Sequence, residues 1–121
     1  MRVFSLTSAL LLWATLSTNA SEPLAIAVSP RLSIAPANVE IRVRIAPDAA
    51  NRMLEVVTES DTYYRRSRVQ LDGPEAPRMI PLELRNLPGG DYEVRATLKD
   101  GLGRPRALAH RLVIVRSAGT S

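Results

Sequence analysis

The chain has 121 residues, no cysteine, one histidine and a net charge of +4 at pH 7. That length is enough for one domain. The missing cysteines exclude disulfides, thiol catalysis and cysteine-ligated zinc, and the net charge is too small to indicate nucleic-acid binding.

The first twenty residues have the pattern of a secretory signal peptide. Arg2 supplies positive charge, residues 6–16 are mostly apolar, and small residues precede the end of the stretch at Ala20. The pattern predicts cleavage between Ala20 and Ser21, and the apolar stretch is too short to span a bilayer comfortably. We therefore expect a signal peptide over 1–20 and an exported domain over 21–121, periplasmic or secreted, with no transmembrane segment in the mature chain.

Short runs with a period of two follow residue 21, separated by turn residues about every ten residues, which is typical of a sandwich or barrel. The first run alternates only loosely and is interrupted by Pro30. The second run, at 39–45, alternates most clearly. The third run is the most apolar, which predicts a central strand, and the polar fourth run predicts an edge strand. The sequence does not decide which side of the last run faces the core, because residues 112–115 are all apolar. The seven predicted strands cover 24–34, 39–45, 53–58, 63–71, 79–84, 91–99 and 108–115.

The sixth predicted strand begins at a Pro-Gly-Gly corner that ends in Tyr92. Pro88 fixes one backbone dihedral and the two glycines allow positive ones. Strict alternation then runs to a hairpin turn at 100–103. This pattern resembles the bacterial immunoglobulin-like and fibronectin type III-like modules of exported proteins, in which such a Tyr bonds back to the backbone upstream.

That resemblance implies an all-β, seven-stranded antiparallel immunoglobulin-like sandwich in which Tyr92 is a structural tyrosine corner. The chain departs from antibody domains, because the paired cysteines and the core tryptophan are missing. The resemblance implies no activity, because this fold carries many different ones.

The most distinctive surface segment is the sequence YYRRSR at 63–68. Alternation places Tyr64, Arg66 and Arg68 on one face and Tyr63 and Arg65 on the other. Tyr and Arg are enriched at binding hot spots, and an edge strand can pair with another chain. These five residues therefore form a candidate site for a protein partner or an acidic polymer. The alternative is a solvated edge that charge protects against aggregation.

Candidate catalytic and metal-binding groups are few. His110 lies alone on a mostly apolar strand, which is more typical of packing than of catalysis, and the chain has no Gly-x-Ser-x-Gly motif. Asp61, Asp72 and Asp100 are the loop carboxylates that calcium would use. Asp before Gly is, however, an ordinary turn residue. We predict no catalytic residue, no metal site and no cofactor.

The sequence thus predicts a non-enzymatic exported module that binds a protein or a cell-envelope component. The alternative is a periplasmic sandwich protein that carries a small ligand or a metal ion. No nucleic-acid partner is expected. A pilus-type subunit, which resembles a sandwich without its last strand, is disfavoured because residues 107–115 supply that strand. A monomer is favoured.

Overall fold

A computed structural model describes residues 22–117. The predicted signal peptide and the cleavage site at Ala20 and Ser21 lie outside these residues. Between residues 22 and 117, no helix is long and apolar enough to cross a membrane. The strands are β1 (Leu24–Ser29), β2 (Leu32–Ile34), β3 (Ala37–Ile45), β4 (Met53–Ser60), β5 (Tyr63–Gln70), β6 (Met79–Leu87), β7 (Gly90–Lys99) and β8 (Pro105–Arg116), and a 3₁₀ turn covers Gly73–Glu75.

The strands form two sheets that pack face to face. One sheet has three strands in the order β1-β3-β6, and the other has five in the order β2-β8-β7-β4-β5. Neighbouring strands are antiparallel except β2 and β8, which are parallel. The predicted all-β immunoglobulin-like sandwich is confirmed. The apolar β4 lies inside its sheet and the polar β5 lies at an edge, as the sequence predicts.

The first predicted strand is two strands that belong to different sheets. β1 pairs with β3 as far as Ser29, which lies opposite Glu40. Pro30 ends this ladder because it has no N–H to donate. The chain then crosses to the five-stranded sheet, where Leu32 lies opposite Ile114 of β8. Residues 22–117 therefore form eight strands rather than seven, with one parallel pair.

Alternation along the strands builds the core between the two sheets. The inward residues of β3 and β7 are almost fully buried, and burial of such apolar surface is the dominant stabilising term in folding. β7 lies between β8 and β4, so both of its edges are also paired. The buried residues of these two strands are Ala37, Val39, Ile41, Val43, Ile45, Tyr92, Val94, Ala96 and Leu98.

The register between β7 and β8 decides which side of β8 faces the core. Val113 lies opposite the buried Tyr92, and opposed residues on neighbouring strands share a face. Val113 and Val115 therefore point inward and are 1% and 3% exposed. Leu112 and Ile114 point away from the core and are 64% and 39% exposed.

Candidate functional site

The face of the five-stranded sheet that points away from the core has two chemically different halves. We call it the outer face. Its charged half lies on β4, β5 and β7, and its apolar half lies on β8 and β2. The polar residues that define the charged half are Tyr64, Arg66, Arg68, Glu55, Glu59, Glu93, Arg95 and Lys99, and the exposed apolar residues that define the apolar half are Leu32, Ile34, Leu108, Leu112 and Ile114.

Glu55 is the centre of the charged half. Its side chain is 11% exposed, and three cations surround its carboxylate. Lys99 Nζ lies 2.9 Å from Oε1, while the Nε atoms of Arg66 and Arg68 lie 2.8 and 3.6 Å from Oε2. The hydrogen bond from Lys99 and the charges of the three cations hold the pKa of Glu55 below its ordinary value, although burial opposes this. Three cations around one carboxylate leave the cluster with net positive charge.

Arg66 and Arg68 contact Glu55 through Nε rather than through the ends of their guanidinium groups. Their side chains are 46% and 56% exposed. Within residues 22–117, neither arginine forms an ion pair with a side chain other than Glu55. One nearly buried carboxylate thus pairs with two arginines whose side chains remain about half exposed.

The other residues of the candidate strand separate as their alternation requires. Tyr64 is exposed on the outer face beside Glu59. Tyr63 lies on the inner side, where its ring packs edge-to-face on Tyr92 with ring centroids 5.5 Å apart. Arg65 also extends from the inner side, and its Nη1 donates to the carbonyl of Glu83 at 3.4 Å. The structure therefore brings Tyr64, Arg66 and Arg68 together but not Tyr63 and Arg65.

Tyr92 occupies the corner between β6 and β7. It is 1% exposed, and its hydroxyl donates a hydrogen bond to the carbonyl oxygen of Pro88 at 2.5 Å. Burial raises the pKa of the Tyr92 phenol. The hydrogen bond joins the start of β7 to the preceding turn, which is the contact expected of a tyrosine corner.

A second group of ion pairs continues the charged half toward the other end of β7. Arg95 lies between Glu59 and Glu93, with Nη2 3.2 Å from Glu59 Oε1 and Nη1 2.9 Å from Glu93 Oε1. These hydrogen bonds raise the pKa of Arg95. Both ends of this guanidinium are occupied, so it offers less to a ligand than Arg66 and Arg68 do.

Sequence reasoning missed Glu55 and Lys99. The available signal was an acidic residue within the apolar run 53–58, which predicts a central strand. A carboxylate in that position needs a cationic partner, because burial of an unpaired charge is costly. The partner could not be named from the sequence, since Lys99 reaches Glu55 only through the pairing of β4 with β7.

Two of the loop carboxylates considered for calcium have arginine or backbone partners. Asp72 lies 3.8 Å from Arg52. Asp100 Oδ1 accepts hydrogen bonds from the N–H groups of Leu102 and Arg104, each at 2.9 Å. The bond from the Arg104 N–H is the main cause that lowers the pKa of Asp100. Asp100 therefore acts within the turn where it lies, whereas Asp72 pairs with an arginine of another loop.

Asp61 is exposed in the turn between β4 and β5. His110 is exposed on the outer face of β8, between Leu108 and Leu112. In the described part of the chain, no three His, Cys, Asp or Glu residues lie close enough together to hold a metal ion.

Comparisons with known proteins show similarity in fold. No protein-family model matches the chain, and no curated protein is significantly similar to it. The superoxide reductase (neelaredoxin) of Ignicoccus hospitalis superposes with a TM-score of 0.57 at 14% identity, over 84% of this chain and 85% of that one. The sulfur carrier protein SoxY of Chlorobium limicola gives 0.55 at 16%, over 90% and 93%. The PKD domain of an M14-like peptidase from a Thermoplasmatales archaeon gives 0.52 at 18%, over 80% and 99%.

These similarities correct one expectation from the sequence. The prediction that the chain is not an enzyme is wrong as an inference from fold and composition, because superoxide reductases share this fold and are enzymes. The fold also occurs in a carrier protein and in a PKD domain, so it identifies neither class. At these identities the comparison establishes one point, that the chain has the fold of small immunoglobulin-like β-sandwich domains.

Proposed function

We propose that the chain is an exported β-sandwich module that binds an acidic protein or cell-envelope partner through the charged half of its outer face. The observation that carries this proposal is the cluster at Glu55. Its carboxylate pairs with the Nε atoms of Arg66 and Arg68, and the side chains of both arginines are about half exposed. The signal-peptide pattern of residues 1–20 supports the exported setting.

The chemistry of the cluster favours an anionic ligand. A guanidinium group can donate two parallel hydrogen bonds to a carboxylate, sulfate or phosphate group. Because Glu55 already orients both side chains, binding would cost less side-chain entropy than it does for free arginines. Tyr64 lies on the same face, two residues before Arg66, and adds an exposed aromatic ring of the kind found at hot spots.

The arrangement differs from that of a simple solvated edge. Protection against aggregation requires only that charges lie along the strand, and they need no common orientation. Here two arginines of an edge strand and a lysine from β7 converge on one carboxylate that is 11% exposed. A positively charged cluster with fixed geometry can attract anionic ligands and can also discriminate between them by the arrangement of their anionic groups.

The test compares an Arg66→Lys/Arg68→Lys variant with the native chain. Lysine keeps the charge but cannot form the bidentate contact, so we expect about tenfold weaker retention on immobilised polygalacturonate or dextran sulfate. The matched control is Arg42→Lys/Arg85→Lys, which alters two exposed, ion-paired arginines of the other sheet. This control should bind like the native chain.

Crosslinking capture from the native envelope fraction extends the test to protein partners. A specific partner captured by the native chain and the control, but not by the Arg66 and Arg68 variant, would place the interface on β5. Equal capture by all three forms would make this strand an ordinary solvated edge. Absence of any bound polymer or partner would contradict the proposal.

A further inference from the structure

One edge of β8 is unpaired over much of its length. β7 pairs with β8 along one side, but on the other side β2 pairs only with residues 114–116. Within the described residues 22–117, no strand pairs with residues 107–111 on that side. These residues line a cleft of about 430 Å³, which residues 22–25 at the start of β1 line from the other sheet. An unpaired strand edge beside a cleft can accept one more extended strand.

The hydrogen bond to β2 shows which backbone groups of β8 face this cleft. Ile114 N–H donates to the carbonyl of Arg31 at 2.8 Å, so the N–H of an even-numbered residue points to this side. Because backbone direction alternates along a strand, Leu108 and His110 also direct their N–H and C=O groups into the cleft. An added strand parallel to β8 would bond to both residues. Its residue opposite Ala109 would donate to the carbonyl of Leu108 and accept from His110 N–H.

The cleft is closed to an added strand at one end. β2 occupies the positions beside residues 114–116, and the chain crosses between the two sheets at Pro30 and Arg31, just before β2. An added strand beside residues 107–111 must therefore end or turn away before it reaches β2. This geometry favours a strand that ends there, which is the end of a polypeptide.

The charges at the two ends of the cleft are opposite. Arg111 lines the cleft, and Arg31 lies at the closed end, about two residues further along β8. Glu22 lies at the other end, because the six residues of β1 span about 20 Å between it and Arg31. All three side chains are exposed, and none of them forms an ion pair within residues 22–117.

This charge distribution is complementary to the carboxyl terminus of a peptide. A strand parallel to β8 would end with its carboxylate beside Arg111 and Arg31, and guanidinium groups bind carboxylates through paired hydrogen bonds. An antiparallel strand would instead bring its positively charged amino end to the same arginines. Arg111 Nη1 now donates to the carbonyl of His110 at 2.8 Å. A backbone N–H of the added strand can replace that bond and release the guanidinium for the carboxylate.

We propose that the free edge of β8 binds the carboxyl-terminal segment of another protein as an added parallel strand of about five residues, the length of 107–111. Leu108 is 66% exposed on the outer face, so an apolar side chain of the segment beside it would extend the apolar half. The proposal goes beyond the proposed function, because it uses the edge of β8 rather than the charged half of the outer face.

The first test uses two arrays of synthetic pentapeptides of random sequence, immobilised through their amino ends. One array has free carboxyl termini, and the other carries the same sequences as carboxyl-terminal amides. We expect the purified chain to bind members of the first array and to bind their amides at least about tenfold more weakly, because an amide loses the charge-assisted hydrogen bonds. Equal binding to both arrays, or binding to neither, would overturn the proposal.

A pair of variants tests the two arginines. Arg31→Gln/Arg111→Gln should weaken binding of the free-carboxylate peptides about tenfold or more. Arg42→Gln/Arg85→Gln is the control, since it removes the same charge from two exposed arginines of the other sheet, and it should bind like the native chain. The lysine variant of the charged half should also bind like the native chain, which separates this site from the proposed one. Equal losses in the two glutamine variants would mean attraction by net charge alone and would overturn the site.

The second test measures amide hydrogen exchange by NMR in the complex with the peptide that binds most tightly. His110 N–H faces the cleft and should exchange at least about tenfold more slowly when the peptide is bound. The N–H of Arg111 faces β7 and should keep its rate. A spin label on the amino end of the peptide should broaden the amide signal of Ala107 more than that of Val113. Unchanged exchange at His110, or the reverse order of broadening, would overturn the added parallel strand.

Discussion

Replacement of Tyr92 by Ala is expected to lower the free energy of unfolding by about 3–5 kcal/mol, because it removes a buried aromatic ring from the core. Tyr92→Phe should account for about 1 kcal/mol of that loss, since it removes only the hydrogen bond to Pro88. The ring also packs edge-to-face on Tyr63, and such aromatic pairs contribute beyond their buried area. Urea unfolding followed by far-ultraviolet circular dichroism measures both changes.

The matched control for the hydroxyl is Tyr64→Phe. Tyr64 is 57% exposed on the outer face, so its hydroxyl is hydrated in both the folded and the unfolded chain. Its removal should therefore leave the urea midpoint unchanged. If Tyr92→Phe also leaves the midpoint unchanged, the tyrosine corner does not stabilise this domain. A change in the slope of the transition would instead indicate an altered denatured state.

Replacement of Glu55 by Gln should lower the free energy of unfolding by about 1–3 kcal/mol at neutral pH, because it removes the charge that three cations share. Two of the three cations are about half exposed, so solvent limits the loss to less than a fully buried pair would show. The control is Glu59→Gln, an exposed partner of Arg95, which should change stability by about 0.5 kcal/mol or less. Equal effects of the two substitutions would contradict a special role for Glu55.

Comparison of Glu55→Gln with the native chain also gives a prediction for the pH dependence of stability. The folded-state pKa of Glu55 lies below its ordinary value of 4.5. Its carboxylate therefore stabilises the fold above that value, and the contribution is lost as pH falls through the lower folded-state pKa. Thermal denaturation should show that Glu55→Gln loses less stability than the native chain from pH 4.5 downward. The pKa values of Asp48 and Asp100 are also lowered, but both residues remain in the variant, so the difference isolates Glu55.

Strands in which apolar and polar residues alternate strictly could be predicted from the sequence alone. Residues 39–45 and 91–99 alternate apolar with polar side chains, and their apolar sides are buried. The same rule separated Tyr64, Arg66 and Arg68 from Tyr63 and Arg65. Alternation is a local property of extended backbone, so it can be recognised before any partner strand is known.

The candidate site could be predicted only in part. The polar character of 63–68 placed the arginines on an edge strand, and the structure has β5 at that edge. Their shared carboxylate was not predicted, because Glu55 belongs to the neighbouring strand and Lys99 to the strand beyond it. Nothing in the local pattern of either strand identifies the other.

The sequence by itself determined the all-β sandwich and the inward side of each strictly alternating strand. Only the tertiary structure decided that β2 crosses to the second sheet, that Val113 and Val115 face the core, and that Lys99 reaches Glu55. The physical reason is the range of the interactions. Alternation follows from the geometry of one strand, whereas partner and register are set by contacts between distant segments and by packing of the common core.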